Sequence, residues 1–366
     1  MPRQQREQPA TPPSLAEWGH EQDEARFAEN AAIQRSARAA RASAAALDNE
    51  ARELRKRLGL YEQLDADKLP APEWVAPSVP QAHHAIPSLL LTDIHWDEVV
   101  RPEEIEGYNC YNRHIAELRV KKAFTGAVKV VRNYIAGVTI DGFQLFLGGD
   151  LLSGIIHEEL TETNQGQLCE SILTVVEPLE SGINLLAKEF KHVNITAVVG
   201  NHGRRTRKPR AKFRAKDNFD WLVYQLIART MRGRKDVTFA VGESADEPVT
   251  VYGTKYRLTH GDQFRGGSGI SAELSPLLIG QNRKTARQNK IGKPYDILVM
   301  GHWHRTLWLP SKGIIMGGSV VGYSEYSYIE NFAPEEPQCS LWLTTPERGI
   351  TMTAPVFLQD RAAEGW

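Results

Sequence analysis

Five short apolar runs, each ending in Gly, Asp, Asn or His, constrain this chain more than anything else in it. They are SLLLTD (88–93), FQLFLGGD (143–150), ITAVVGNH (195–202), KYRLTHGD (255–262) and YDILVMGHWH (295–304). Runs of this length read as buried strands that feed loops. Between the first three lie helical patterns, from about Asn112 to Ile135 and from Glu158 to Phe190. Strand alternating with helix predicts an α/β sheet protein. Beyond His304 the pattern is strand after strand (TLWLP, GIIMGG, SLWLTT, ITMTAPVF), which predicts a second, more antiparallel sheet packed on the first. No internal repeat is present.

The stretch from Ser14 to about Ala66 is rich in Ala, Glu, Arg and Gln, and opens with SLAE, which has capping-box spacing. It is expected to be largely helical. Its large apolar residues (Phe27, Ile33, Leu47, Leu54, Leu58) are too sparse to define a heptad by themselves. The helix is expected to dock on a protein partner or to self-associate; a free solvated helix is the alternative. LPAPEWVAPSVPQAHHAIP then has the Pro density of an extended linker, with His83 and His84 as exposed bystanders. The expected division is a helical extension (1–69), a Pro-rich linker (70–87), one large domain (88–358) and a C-terminal tail (359–366).

Composition excludes several classes. No apolar run approaches the roughly 20 residues of a membrane helix. The polar, Pro-rich start MPRQQREQPATPP lacks the apolar core of a secretory signal, so a cytoplasmic, membrane-free protein is expected. Three scattered cysteines without CxxC spacing fit neither a disulfide framework nor a zinc knuckle. A formal net charge of -1 excludes bulk attraction to nucleic acid, so any electrostatic recognition must be local.

The chemistry sits at the strand ends: Asp93 and His95 in TDIHWD, Asp150 in GGD, Asn201 and His202 in GNH, His260 in THGD, His302 and His304 in GHWH. In an open α/β sheet, ligands bind beyond the carboxyl ends of strands, where groups distant in sequence converge. Singly, each motif also has a structural reading, the His bonding a carbonyl and the Asp capping a helix. Five together, each supplying oxygen or imidazole nitrogen and no thiolate, point to Mn²⁺, Fe or Zn²⁺.

These motifs resemble those of the calcineurin-like metallophosphoesterases, whose pattern runs DxH, GD, GNH with an acid, His, then GHxH. The resemblance covers about Leu89 to Ser319, where GGS (317–319) echoes a family Gly-Ser turn. The texture is similar to uncharacterised phage and bacterial members, and the motif order is shared with nuclease, protein phosphatase and nucleotide phosphodiesterase branches. The resemblance implies a two-sheet sandwich flanked by helices. It implies two divalent ions, Mn²⁺ first among the candidates. Asp93, His95 and His304 would hold one, Asn201, His260 and His302 the other, and Asp150 would bridge both. It further implies attack on phosphorus by a hydroxide shared between the metals, with His202 assisting at the leaving group.

Two departures stand out. Gly203 follows GNH where the family usually has an acid, leaving Asp97 and Asp262 as candidates to orient His202. Trp303 is large for its place in GHWH, and is expected to pack into the core or to stack on a base. For the substrate, GRRTRKPRAKFRAK (203–216) leaves the GNH loop without one acidic residue. Arg204, Arg205, Arg207, Lys208 and Arg210 are the candidate substrate-binding cations, with Phe213, Trp221 and Tyr224 as possible base-stacking groups. Arg283, Lys284, Arg287 and Lys290 add basic charge, and RGGSG (265–269) reads as a flexible loop. A nucleic acid is the favoured substrate. The alternatives are a small nucleotide or a phosphoprotein, and a metal-stabilised nucleic-acid-binding module without turnover.

Overall fold

The computed structural model describes residues 15–66, 83–264 and 274–366. Most of the Pro-rich linker, the RGGSG stretch and Ser14 of the capping box lie outside the described residues. The chain divides into two units, Met1–Val79 and Pro80–Trp366.

The described residues of the first unit form one 52-residue helix, α1 (Leu15–Ala66). Good helix formers and the absence of proline allow it to run through Gly19 and Gly59. Its side chains Phe27, Ile33, Leu47, Leu54 and Leu58 are exposed.

Among the described residues the second unit contains twelve strands: β1 (His83–Leu91), β2 (Val138–Ile140), β3 (Phe143–Leu147), β4 (Val193–Ala197), β5 (Val237–Val241), β6 (Asp246–Val251), β7 (Thr254–Thr259), β8 (Ile297–Met300), β9 (Leu307–Leu309), β10 (Ile314–Met316), β11 (Gln338–Thr345) and β12 (Gly349–Phe357). Its helices are α2 (Arg113–Lys129), α3 (Glu158–Thr163), α4 (Leu168–Phe190), α5 (Phe219–Thr230), α6 (Ser275–Lys290), α7 (Glu325–Ile329) and α8 (Arg361–Glu364). Asn112 caps α2 by accepting the N–H of Ile115, and a π-helical turn (Val130–Tyr134) ends it.

One sheet has the order β12-β11-β1-β3-β4-β5, with β2 beside the start of β1; the other is β6-β7-β8-β10-β9. Strands β1, β3, β4 and β5 run parallel, as do β7, β8 and β10. Side chains alternate across each strand. Leu89, Leu91, Leu145 and Leu147 therefore face Phe124, Leu179, Ile183 and Tyr224 of the helices, while Leu90 and Phe146, with Trp342 of β11 in the same sheet, face Tyr256 and Val299 of the opposing sheet. The outer face of the second sheet is covered by Leu277 of α6 and by Phe264. The result is an α/β sandwich of two sheets flanked by helices.

Two expectations are corrected. Only β9 and β10 of the late strands join the second sheet; β11 pairs antiparallel with β1 and β12 with β11, extending the first. Residues 83–86 belong to β1 rather than to a linker, and exposed His84 bonds Asp141 at 2.9 Å. In the C-terminal tail, Glu364 is buried against Arg119 at 2.9 Å.

Candidate metal centre

Five strand ends meet at one edge of the sandwich, β1, β3 and β4 from one sheet and β7 and β8 from the other. The loops are laced by backbone bonds: Asp93 N to Gly149 O (3.1 Å), His95 N to Asp150 O (3.0 Å) and Gly301 N to His260 O (2.9 Å). Each aspartate commits one oxygen to this framework. Asp93 Oδ2 accepts the N–H of His302 at 2.9 Å and the hydroxyl of Thr92 at 2.6 Å; Asp150 Oδ1 accepts the N–H of His202 at 2.7 Å.

The remaining donor atoms turn inward. Asp93 Oδ1, Asp150 Oδ2 and His95 Nε2 are buried and face the cluster, with His304 Nε2 3.4 Å from Asp93 Oδ1 and His260 Nε2 2.9 Å from Asp150 Oδ2. Asp93, His95 and His304 bring one donor atom each within 4.8 Å of one another; so do Asp150, His260 and His302, and so do His95, Asp150 and His202. His95 and Asp150 thus each stand in two groups, and Asn201 Oδ1 lies 3.1 Å from His260 Nε2. His260 Nδ1 is 2.8 Å from the carbonyl oxygen of Gly148; donation there turns an Nε2 lone pair toward Asp150 Oδ2 at 2.9 Å. With His260 neutral, these facing lone pairs need a cation between them; with none bound, a proton on Nε2 takes that place. An oxygen and imidazole donor set suits Mn²⁺, Fe or Zn²⁺, so the residues fit divalent cations.

Electrostatics agree. Burial opposes a charge on His260, but Asp150 outweighs it and carries the imidazole up to about 10. Burial likewise opposes a charge on His95, and Glu98, 2.8 Å from Nδ1, carries it up to about 9. The field here favours cations. Burial pushes His202 down to about 4, and also His302, where the charge of His260 adds to it.

The backbone is strained at the same place. Asp93 (φ 52°), His95 (51°), Asp150 (51°), His302 (71°) and His304 (52°) are all left-handed. Such conformations cost non-glycine residues energy, and they concentrate where side-chain aim matters.

His202 takes its orientation from the carbonyl of Ser153, 2.7 Å from Nδ1, which leaves Nε2 toward the cluster. Neither proposed orienting acid serves it: Asp97 pairs with Arg113 and Asp262 with Arg214 (2.6 Å). A carboxylate at position 203 has no room, since even a Cβ there would lie 2.3 Å from Asn218 Oδ1 and 2.9 Å from the Asp220 carboxyl. Gly200 is required for the same reason, with Asp150 Oδ1 1.9 Å from its would-be Cβ. Glu98 and Asp220 were not singled out as site residues from the sequence, because nothing in the local pattern shows which backbone or ring an acid will face.

The basic segment is largely committed within the fold. Arg204 donates to the carbonyls of Asn201, Thr206 and Arg207; Arg205 pairs with Asp217, Arg207 with Glu158 (3.4 Å) and Lys216 with Glu243 (2.8 Å). Lys208, Arg210 and Lys212 are exposed. Arg210, Lys212, Phe213 and Asn201 line one pocket. Of the aromatics, Tyr224 is core and bonds Val198 O at 3.0 Å, Trp221 packs partly buried, and Phe213 is 78% exposed. Trp303 packs beside Met300 and Leu277 and meets His302 edge-on. Lys284 is buried, and both it and Arg287 pair with Asp246.

No family model matches the sequence, and no curated protein matches it. Among solved structures the chain is similar to Vps29 from Entamoeba histolytica complexed with Zn²⁺, at 14% identity over 75% of this chain and 100% of that one, with a TM-score of 0.29. It is similar to Vps29 from Cryptosporidium parvum, at 15% identity over 74% and 96%, TM-score 0.28. It is also similar to a dimetal phosphatase from Danio rerio, at 8% identity over 75% and 99%, TM-score 0.32. Superpositions this loose assign no activity, and the fold stands on the chain's own strands. Among the described residues, no helix is long and apolar enough to cross a membrane.

Proposed function

We propose that the chain is a dinuclear metal-dependent phosphoesterase that hydrolyses phosphodiesters. The supporting observation is the set of buried, inward donor atoms in three overlapping groups joined through His95 and Asp150. Asp93, His95 and His304 would hold one ion; Asn201, His260 and His302 the other; Asp150 both. A bound pair of divalent ions would polarise a phosphoryl group and lower the pKa of water.

The chain's own residues do the rest. Ser153 accepts from His202 Nδ1 and fixes the ring with Nε2 toward the site; burial favours the neutral imidazole, so the negative charge of a bound phosphate has to stabilise the proton that Nε2 would give the departing oxygen. Asp93 and Asp150 each use one oxygen to hold a backbone N–H and keep the other for the site, which sets the donors before substrate arrives. Exposed Lys208, Arg210 and Lys212, on the segment leaving His202, favour a polyanion, DNA or RNA. The ion pairs that occupy Arg205, Arg207 and Arg214 favour a second reading, a small nucleotide phosphoester.

The test is hydrolysis of an activated aryl phosphodiester with Mn²⁺, Zn²⁺ or Fe²⁺ and with chelator, alongside single-stranded and duplex DNA, RNA and nucleotides. Metal-dependent turnover of the diester is expected. No turnover of any substrate with any of these metals overturns the enzyme reading.

A further inference from the structure

Helix α1 carries a heptad spacing of small and large apolar residues that its large apolar residues alone do not reveal. Ile33, Ala40, Leu47 and Leu54 recur every seven residues, and Asn30, Ala37, Ala44, Ala51 and Leu58 run beside them at the offset of a heptad's second seam position. Ile33, Leu47, Leu54 and Leu58 are each between 58% and 64% exposed. A seam held to seven residues, rather than drifting with the period of 3.6, is the pattern that winds one helix on another. A lone helix gains little from propensity and owes its stability to packing of such a face.

We propose that a second copy of this chain covers the seam, forming an antiparallel two-stranded coiled coil. Size matching selects that orientation. With Ala44 level with Leu47 of the partner subunit, Ala37 meets Leu54 of the partner subunit and Leu58 meets Ile33 of the partner subunit. Small then faces large in these layers, and the axes keep an even spacing; Ala40 on Ala51 of the partner subunit is the narrow point. A parallel pair would stack Ala on Ala at positions 37, 44 and 51, with Ile or Leu on its like at 33, 47 and 54. That draws the axes together at some layers and pushes them apart at others. Charge agrees with the antiparallel register, because it sets Arg41 beside Asp48 of the partner subunit, twice by symmetry, and brings no like charges together along its flanks.

Sedimentation of the full chain tests this. The expected mass is two chains of 41.0 kDa. Because Leu47 and Leu54 are exposed in the single chain, Leu47→Asp with Leu54→Asp should leave its near-UV circular dichroism unchanged while halving the mass. A wild-type chain that stays single at tens of micromolar overturns the proposal, whether the seam is solvated or covered by something else. A variant that remains dimeric overturns it too. Spin labels on Ser36→Cys, in a Cys110→Ser, Cys169→Ser background, read the orientation. The antiparallel register separates the labels by 19 residues, about 28 Å at 1.5 Å per residue; a separation near 10 Å overturns it.

Discussion

Asp220, in the first turn of α5, accepts the backbone N–H of Asp150 at 2.9 Å through Oδ2, although the two residues are 70 apart in the chain. The same oxygen accepts the N–H of Gly200 at 2.9 Å, and Oδ1 that of Leu151 at 3.2 Å. One fully buried carboxylate therefore clamps the loops after β3 and β4 at the point where Asp150 and Asn201 leave them. Burial, with the neighbouring charge of Asp150, pushes Asp220 up to about 6.

Asp220→Ala removes the acceptor of three buried donors. Each unsatisfied N–H costs on the order of 1–3 kcal/mol, so a clear drop in denaturation midpoint is expected. Metal retained after dialysis should also fall at both positions, because Asp150 loses its backbone anchor. Metal analysis and chemical denaturation check this; normal metal content in the variant contradicts the anchoring role.

Asp150 and His95 differ in how many ions they would serve. Asp150→Ala should lower retention of both ions together, whereas His95→Ala should mainly lower one. The measurement is metal per chain after dialysis against a graded chelator. Two ions held at wild-type affinity by Asp150→Ala would remove the bridging assignment.

The donor residues were legible because each closes an apolar strand, and a strand's carboxyl end is where an α/β sheet exposes polar groups. Which sheet each strand joins was not. β11 and β12 look like neighbours of β10 in sequence, yet β11 lies on β1, and pairing is decided by faces meeting at long range. Orientation was also hidden. His202 is aimed by the carbonyl of Ser153, a backbone atom that no side-chain motif encodes, while Asp97 and Asp262 were taken up by Arg113 and Arg214. The cations after Gly203 could be counted from the sequence, and Asp217, close along the chain, was an expected clamp for them, but the distant partners Glu158 and Glu243 were not legible.

His202→Ala should retain metal and lose kcat on diesters with poor leaving groups by roughly 10²–10⁴, the usual worth of general acid catalysis. Activated aryl esters should lose less. Equal losses on both substrates would assign His202 to charge stabilisation, and loss of metal would make it a ligand.

The Glu364–Arg119 pair predicts a pH-dependent term in stability. Burial raises the carboxyl, but the hydrogen bonds and charge of Arg119 outweigh it and hold Glu364 below its ordinary value of 4.5. A depressed carboxylate stabilises the fold above its unfolded pKa, and that contribution is lost as pH falls through the folded value. At pH 7 Glu364→Gln should be less stable, by up to the roughly 3–5 kcal/mol of a broken buried pair. The gap should narrow progressively below about pH 4.5. Denaturant titrations of both chains at several pH values measure it; a gap that does not change with pH assigns the bond no ionic part.

The exposed cations at Lys208, Arg210 and Lys212 decide the substrate class. If they hold a nucleic-acid backbone, each contact releases condensed counterions, so log affinity falls with log salt by about 0.9 per duplex contact, or about 0.7 on single strands. Changing the three to Gln should flatten that slope by up to about three contacts' worth. It should raise KM for polynucleotides while leaving a small aryl diester unaffected, because groups that bind away from phosphorus contribute little to the reacting centre. Arg204 is left in place because it braces the loop through the carbonyls of Asn201, Thr206 and Arg207, so its loss would disturb Asn201 itself. Arg205, Arg207 and Arg214 are left because their acids would be stranded without them. Unchanged polynucleotide kinetics and an unchanged salt slope in the three-residue variant would shift the assignment to a small phosphoester.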